Sequence, residues 1–158
     1  MPEQELDQQD RRILSLLQAN ARVSSQEIAD HAASSSATAW RRQRALEERG
    51  VIKKYCAILD REKLGYAVCA FVHISIERQN PKLIAEIEAK VLKRAEVLEC
   101  YATTGDADFT LRVVARDIAD YDRFLQTFLF QLPGVSHVRS SIALREIKYT
   151  TDLPLEAP

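Results

Sequence analysis

The sequence predicts an α+β protein of two domains: a helical N-terminal domain (residues 1–59), a hinge (residues 60–66) and a C-terminal βαββαβ sandwich (residues 67–158). Three observations predict this division. Helical periodicity with capping residues occupies the first 50 residues, the alternation of the second domain begins after residue 66, and residues 60–66 are polar and carry Gly65 near their end. A chain of 158 residues with 46% hydrophobic content has enough apolar material for two small cores.

The first two helices are predicted from their caps and their apolar periodicity. Asp7 can cap a first helix, on which Ile13 and Leu17 return to the same face. Ser24 and Glu27 have the spacing of a capping box, in which each side chain accepts from the other residue's backbone. This box predicts a second, short helix directly after the first.

A third helix is predicted between residues 34 and 50. Ser35 or Ser36 can accept a hydrogen bond from a free N–H at its start, and Gly50 can end it with a left-handed turn. Three short helices with a tight turn between the last two are typical of a helix-turn-helix, whose second element enters the major groove of DNA.

The third helix and the residues after it are basic, with six basic and two acidic side chains over residues 40–54. Arg41 and Arg44 are predicted to point outward, whereas Arg42 lies nearer the apolar side and could instead hold a structural ion pair. A charge run by itself is most often a solvated face, so the helix alone does not establish DNA binding.

Residues 51–59 alternate in the manner of a β-ribbon or wing, which would bring two lysines to the phosphate backbone. Together with the third helix, this ribbon predicts a winged helix-turn-helix that binds double-stranded DNA. The predicted DNA-contacting residues are Ser35, Ser36, Thr38, Arg41, Arg42, Arg44, Lys53 and Lys54.

The second half of the chain predicts a ferredoxin-like sandwich, an antiparallel sheet with two helices on one face. The predicted order is strand 68–76, a helix from Pro81, strand 97–104, strand 108–115, a helix through Tyr121 and Phe128, and strand 135–144. On the first strand, Cys69, Phe71 and His73 fall on the face that no helix covers. Their apolar content predicts pairing of this face with a second subunit, and therefore a homodimer.

The turn between the second and third strands has side chains that suit a small zwitterion. Gly105 permits close approach of a ligand to the backbone, and Asp106 or Asp108 can accept a hydrogen bond from an α-ammonium group. Serine hydroxyls or exposed N–H groups can hold an α-carboxylate. Taken alone, however, these residues also suit an ordinary hairpin turn, and that interpretation is the more common one.

Charge and hydropathy narrow the function classes. The net charge of -1 means that any contact with nucleic acid comes from a local patch, multiplied by oligomerisation. No apolar run approaches the roughly 20 residues that cross a bilayer, and the acidic N-terminus is unlike a signal peptide. We therefore expect a cytoplasmic, nucleoid-associated protein.

The cysteines and histidines form no recognisable metal or catalytic motif. Cys56, Cys69 and Cys100 are widely spaced without a paired C-x-x-C element, and we expect buried free thiols. Because no catalytic constellation or nucleotide-binding loop occurs, we expect no cofactor and no enzymatic activity. Two alternatives remain: a winged-helix regulator that senses redox state or metal through Cys69 and Cys100, and a small ferredoxin-like enzyme of amino-acid metabolism.

The sequence resembles the Lrp/AsnC (feast/famine) family of transcriptional regulators from Leu6 to about Leu155. In the first domain the similar segments are Leu6-Asp7-x-x-Asp10-x-x-Ile13-Leu14, Leu17-Gln18-x-x-Ala21-Arg22 and Leu46-Glu47-x-x-Gly50-Val51-Ile52-x-x-Tyr55. In the second they are Glu99-Cys100-Tyr101, Thr104-Gly105-Asp106-x-Asp108, Leu132-Pro133-Gly134-Val135, Ser140-Ser141 and Ile147-Lys148-x-Thr150-Thr151-x-Leu153-Pro154. Their shared order and spacing make the resemblance specific.

This resemblance implies a C-terminal effector (RAM) domain that binds a small molecule, an amino acid, between paired domains of a dimer that commonly assembles into an octamer. The implied ligand-binding residues are Thr104, Gly105, Asp106 and Asp108, with Ser140 and Ser141 supplied by a partner subunit. Ala107 and Phe109 depart from the family's ligand loop, as Ser34 and Gln43 depart from its usual apolar residues near the recognition helix. We expect Trp40 to shield the seam between helices.

Overall fold

The computed structural model describes residues 6–77 and 80–155. The chain forms two compact units, each described by itself below. The first unit combines the chain up to Ile58 with the segment from Lys148 onward, and the second unit comprises Leu59–Ile147. Among the described residues, no helix has both the length and the apolar character needed to cross a lipid bilayer.

The described residues of the first unit form three helices: α1 (Gln8–Ala19), α2 (Ser25–His31) and α3 (Ser36–Glu48). The predicted caps are confirmed. The Asp7 carboxylate accepts from the Asp10 N–H at 2.8 Å, and Ser24 and Glu27 form the reciprocal capping box. Ser35 is the residue that caps α3. The three helices pack around a small core that includes Ile13, Leu17, Ile28, Ala29, Ala39 and Leu46.

Two left-handed residues flank α3. Between α2 and α3, Ala33 adopts φ +51°, a conformation that costs a non-glycine residue about 1–2 kcal/mol. After α3, Gly50 adopts φ +71°, as its position at the helix end predicts. These two turns fix the length and the direction of α3, the predicted recognition helix.

The ribbon predicted over residues 51–59 is wrong for this chain. Within the described part of the chain, residues 53–59 have no regular secondary structure and pair with no strand, and a strand here would need a partner for its N–H and C=O groups. The Tyr55 side chain instead reaches α3. It accepts from the Gln43 amide and donates to the Glu47 carboxylate, each at 2.8 Å.

The C-terminal segment differs from the predicted domain assignment, which placed residues 67–158 in one domain. Residues from Lys148 group with the first unit, where Leu155 packs against the helical core. The Gln18 side chain donates to the Leu153 carbonyl and accepts from the Leu153 N–H, both at 3.0 Å. These hydrogen bonds give the segment an anchor on α1 that its sequence alone does not reveal.

The predicted hinge at residues 60–66 forms a hydrogen-bonded turn. The Asp60 carboxylate accepts from the backbone N–H groups of Glu62 and Lys63, which lowers the pKa of Asp60. The Arg61 guanidinium donates to the carbonyls of Tyr66 and Ala67 at 2.7 and 3.0 Å.

The second unit is a ferredoxin-like sandwich, as predicted. Its elements are β1 (Val68–Ile76), α4 (Pro81–Val91), β2 (Val97–Ala102), β3 (Phe109–Ala115), α5 (Ile118–Thr127), a short 3₁₀ turn (Leu129–Gln131) and β4 (Val135–Ile142). The strand order is β2-β3-β1-β4, and every neighbouring pair is antiparallel. Both helices pack on one face, over a core that includes Val72, Ile74, Ile87, Leu111, Val113 and Phe124.

Among the described residues of this unit, no helix covers the opposite face of the sheet, and we call it the open face. Phe71 lies on it in the central strand β1 and is 42% exposed. His73 pairs in register with Thr110 of β3 on one side and with Arg139 of β4 on the other. Alternation along the strands therefore places these three polar side chains in one row.

Candidate nucleic-acid interface and effector cavity

The N-terminus of α3 carries three of the predicted DNA-contacting residues, and the structure gives all three local partners. The Ser35 hydroxyl accepts from the Thr38 N–H at 3.3 Å and donates to the Thr38 hydroxyl at 2.9 Å, so it closes the helix end. The Ser36 hydroxyl donates to the Gln26 side chain of α2 at 2.8 Å. These contacts hold α3 against α2 while its outer surface stays exposed.

Arg41 and Arg44 project from the exposed surface of α3, as the helical periodicity predicts. Within residues 6–77 and 80–155, Arg41 makes no hydrogen bond or ion pair. The Arg44 guanidinium meets Glu48 at 3.2 Å, and both side chains are mostly exposed. An exposed pair of this kind contributes little stability, so a phosphate or a base edge can displace it readily.

Arg42 has a different environment from its neighbours. Its Nη1 atom lies 2.7 Å from the Asp7 carboxylate and 2.8 Å from the Asp10 carboxylate, whose side chain is only 10% exposed. The hydrogen bonds to Asp10 and Asp7 raise the pKa of Arg42, and the Asp10 N–H, with a smaller contribution from Arg42, lowers the pKa of Asp7. The guanidinium thus ties α3 to α1, which is the ion-pair alternative that the sequence left open.

Two further features concern the same surface. Lys53 and Lys54 are exposed on the irregular segment after α3 and make no hydrogen bond or ion pair among the described residues. Trp40 does not shield a helix seam, because its side chain is 59% exposed. It lies one helical turn before Arg44, and this i,i+4 spacing is the signal that could have placed it on the outer face.

In the second unit, the loop between β2 and β3 (residues 103–108) borders a cavity of about 870 Å³ on the open face. Three of the predicted ligand-binding residues line this cavity: Thr104, Asp106 and Ser141. The loop is closed by the Thr103 N–H, which donates to the Asp108 carbonyl at 2.9 Å. Gly105 turns the chain at φ +108°, a region that favours glycine.

Two other predicted ligand-binding side chains, those of Asp108 and Ser140, form hydrogen bonds outside the cavity. The Asp108 carboxylate accepts from the Ile76 N–H at 2.8 Å, so it links the loop to the end of β1. The Ser140 hydroxyl accepts from the Tyr121 hydroxyl of α5 at 2.6 Å. Ser140 and Ser141 are adjacent in a strand and point to opposite sides of the sheet, so only Ser141 reaches the cavity.

The cavity also includes side chains that were missed in the sequence. They are His73, Ser75, Thr103, Thr110, His137 and Arg139. The register pairs His73 with Arg139 and Ser75 with His137, which brings β1 and β4 side chains from distant parts of the chain together. Their alternation with apolar residues in each strand was the available signal, but the pairing of β1 with β4 was needed to use it.

The expected burial of the cysteines is wrong for two of the three. Cys69 is buried, whereas Cys56 and Cys100 are exposed. Partial burial and the nearby Glu88 raise the pKa of the Cys100 thiol, which disfavours the reactive thiolate. Among the described residues, no group of three His, Cys, Asp or Glu side chains is placed to hold a metal ion.

Sheet topology separates the two cysteines of the redox alternative. Cys69 lies on β1 and Cys100 on β2, with β3 between them. They face opposite sides of the sheet, because Cys100 pairs with the core residue Leu111. Their backbones are separated by two strand spacings of about 4.8 Å each, and together these exceed the roughly 7 Å limit for the Cα atoms of a disulfide. Cys69 and Cys100 of one chain therefore form no disulfide in this fold.

Each of the two units matches a known protein family. Residues 6–53 match the family described as winged helix-turn-helix DNA-binding, and residues 69–153 match the Lrp/AsnC ligand binding domain. The Bkd operon transcriptional regulator of Pseudomonas aeruginosa is 38% identical over 151 residues, which cover 96% of this chain and 99% of that protein. The leucine-responsive regulatory protein of Salmonella typhimurium is 32% identical over 155 residues, covering 98% and 94%.

Solved structures show the same likeness over nearly the whole chain. A transcriptional regulator of Neisseria meningitidis in complex with L-methionine superposes with a TM-score of 0.90 at 36% identity, covering 96% of this chain and 97% of that one. An AsnC family regulator of Agrobacterium tumefaciens gives 0.89 at 36% identity, covering 94% and 97%. These relatives are transcriptional regulators and not enzymes. The chain therefore belongs to the Lrp/AsnC family, as a transcriptional regulator with a helix-turn-helix DNA-binding domain and a ligand-binding domain.

Proposed function

We propose that this regulator binds a free amino acid in the cavity of its second unit, and that the amino acid changes its binding to DNA. The observation that carries the proposal is the Asp106 carboxylate, which lines the cavity and makes no hydrogen bond or ion pair among the described residues. It is therefore available to an α-ammonium group, while the hydroxyls of Thr104 and Ser141 can bind an α-carboxylate. The similar Neisseria regulator is known in complex with L-methionine.

On the DNA side, Arg41 and Arg44 read the major groove, and Lys53 and Lys54 neutralise phosphates. Ser36 and Thr38 lie at the N-terminal end of α3, where recognition helices commonly contact bases. Ser35 and Arg42 hold α3 in place through their contacts with Thr38 and with the α1 carboxylates. This division follows from which side chains are exposed and which have partners within the first unit.

Assembly of the protein into dimers couples effector binding to DNA binding. Open faces of two copies pack together as a dimer, because each face exposes Phe71 at its centre and helices cover only the other side of the sheet. Strand β4 of the second copy then borders the cavity, and dimers assemble further into octamers. Effector binding changes how the copies meet, and thus the spacing of the DNA-binding units, by a coupling of about 1–3 kcal/mol.

The test of DNA recognition is fluorescence anisotropy of the purified protein on its own upstream DNA across a salt series. Arg41→Ala is expected to weaken binding and to reduce the slope of log affinity against log salt by about 1, since one phosphate or base contact is lost. Arg12→Ala on α1 is the matched control and leaves the slope unchanged. Unchanged affinity and slope in Arg41→Ala would show that α3 does not contact DNA through this residue.

The test of the effector adds the twenty L-amino acids to the same titration, first as a mixture and then singly. A coupling of 1–3 kcal/mol predicts a shift in DNA affinity of about 5- to 150-fold. Asp106→Asn is expected to abolish the shift while DNA binding without effector stays as in the wild type. If none of the twenty amino acids changes the DNA affinity of the wild-type protein, the proposed effector class is contradicted.

A further inference from the structure

The side chains that line the effector cavity divide into those with partners and those without. The Thr103 hydroxyl donates to the Ala107 carbonyl at 2.8 Å, and the Ser75 hydroxyl donates to the Asp106 carbonyl at 3.0 Å. His73 Nδ1 and the Thr110 hydroxyl lie 3.2 Å apart. These contacts stabilise the loop and the sheet, and they use the hydroxyl protons of Thr103 and Ser75, so neither hydroxyl can also donate to a ligand carboxylate.

Two oppositely charged side chains of the cavity have no such partner. Among residues 6–77 and 80–155, neither the Asp106 carboxylate nor the Arg139 guanidinium makes a hydrogen bond or an ion pair. Asp106 lies in the β2–β3 loop, whereas Arg139 lies on β4 beside His73. One cavity thus presents a free carboxylate and a free guanidinium from different elements.

We propose that Arg139 binds the α-carboxylate of the effector while Asp106 binds its α-ammonium group. A guanidinium presents a planar fork of N–H donors that matches both oxygens of a carboxylate. An amino acid is the ligand class that carries both complementary charges on one carbon. This assignment rests on the proposed function, and it makes Arg139 a specificity-determining residue for free amino acids.

The other cationic groups of the open face fit this role less well. Arg112 is already paired with Glu99 at 2.6 Å and is only 16% exposed. His137 borders the cavity, but an imidazole cannot offer two parallel donors to one carboxylate. Arg139 alone among these three combines an exposed guanidinium, a place in the cavity and the absence of a described partner.

The assignment predicts discrimination between amino acids and their α-amides. An α-amide keeps the side chain and the ammonium group but has lost the negative charge that Arg139 would bind. The wild-type protein is therefore expected to bind the free acid at least about tenfold more tightly than the amide, given the strength of a charge-assisted hydrogen bond. Arg139→Gln is expected to bring this ratio close to one, and Arg139→Lys to preserve part of it.

The experiment uses the full-length chain and isothermal titration calorimetry. The twenty L-amino acids are titrated first, and the tightest binder is then compared with its α-amide at a pH at which both α-amines are protonated. Arg145→Gln is the matched control, because Arg145 is exposed just after β4 and does not line the cavity. Its acid-to-amide ratio should equal that of the wild type.

Each outcome has a separate meaning. If no amino acid binds the wild type, the proposed function fails and the role of Arg139 fails with it. If an amino acid binds and Arg139→Gln keeps the full acid-to-amide ratio, the proposed function stands and the role of Arg139 is overturned. If Arg139→Gln does not fold, Arg139→Lys provides the test. An acid-to-amide ratio in Arg139→Lys equal to that of the wild type would exclude bidentate binding by the guanidinium.

Discussion

Arg41 and Arg42 are adjacent, chemically identical residues with different surroundings. Successive residues of a helix point about 100° apart, so Arg41 projects into solvent while Arg42 reaches α1. There Arg42 meets Asp7 and Asp10, and neither carboxylate can be identified as its partner from the α3 sequence. Helical periodicity thus predicts the direction of each arginine, but only the packing of α3 on α1 supplies the partner.

The Asp7 carboxylate makes the stability of the first unit depend on pH. Its pKa lies below the ordinary 3.8, chiefly through the Asp10 N–H and secondarily through Arg42. A carboxyl whose pKa is lowered on folding contributes stability above its unfolded pKa, and this contribution is lost as the pH falls through the folded-state pKa. Asp7→Asn retains a good helix cap but loses the charge. It is therefore expected to be less stable than the wild type near pH 7, with a difference that shrinks on acidification.

Urea unfolding followed by the fluorescence of Trp40, the single tryptophan, measures this effect in the first unit. Asp122→Asn on α5 removes an exposed carboxylate from the second unit and should leave the Trp40 transition unchanged at every pH. A difference between Asp7→Asn and the wild type that persists undiminished below the pKa of Asp7 would contradict the role of its charge.

The C-terminal segment shows how an element without secondary structure is held in place. Gln18 binds both the N–H and the C=O of Leu153, much as a neighbouring strand would, and Arg11 donates to the Leu155 carbonyl at 3.2 Å. Both contacts are exposed or partly buried, so each contributes modestly. Together these hydrogen bonds attach the segment after Ile147 to α1 of the first unit.

Gln18→Ala is expected to lower the free energy of unfolding of the first unit by about 1 kcal/mol, the typical effect of losing exposed hydrogen bonds. The released segment should also be cleaved faster by trypsin after Lys148, which limited proteolysis with mass spectrometry measures. Gln126→Ala, an exposed substitution on α5, serves as the control. Cleavage after Lys148 at the wild-type rate in Gln18→Ala would show that this amide does not hold the segment.

At the scale of the whole molecule, the sheet of the second unit buries one face under helices and leaves the other open. Phe71→Glu places a charge at the centre of the open face, where it is expected to prevent packing against a second copy and to yield monomers. Size-exclusion chromatography with light scattering measures the mass, and circular dichroism confirms the fold. Leu92→Glu, a substitution at a residue 86% exposed after α4, should leave the mass no smaller than that of a dimer. If the Phe71→Glu protein keeps the wild-type mass, the open face is not the interface between copies.

The sequence by itself determined the order of the elements, most of their ends and the two-domain family, because these depend on local signals. Asp7, Ser24 and Ser35 each cap a helix through the backbone N–H three residues further on, so their roles can be identified without knowing the fold. Alternation in β1 likewise separated the core face from the open face before any partner strand was known.

Only the tertiary structure decided which side chains meet. The register of β1 with β4 places Arg139 and Ser141 at the cavity and turns Ser140 toward Tyr121, although the serines are neighbours in the chain. The Gln18 anchor and the Arg42 ion pairs join residues more than 30 positions apart. Such contacts depend on how separate elements pack, and the local physical chemistry of a segment does not specify its distant partner.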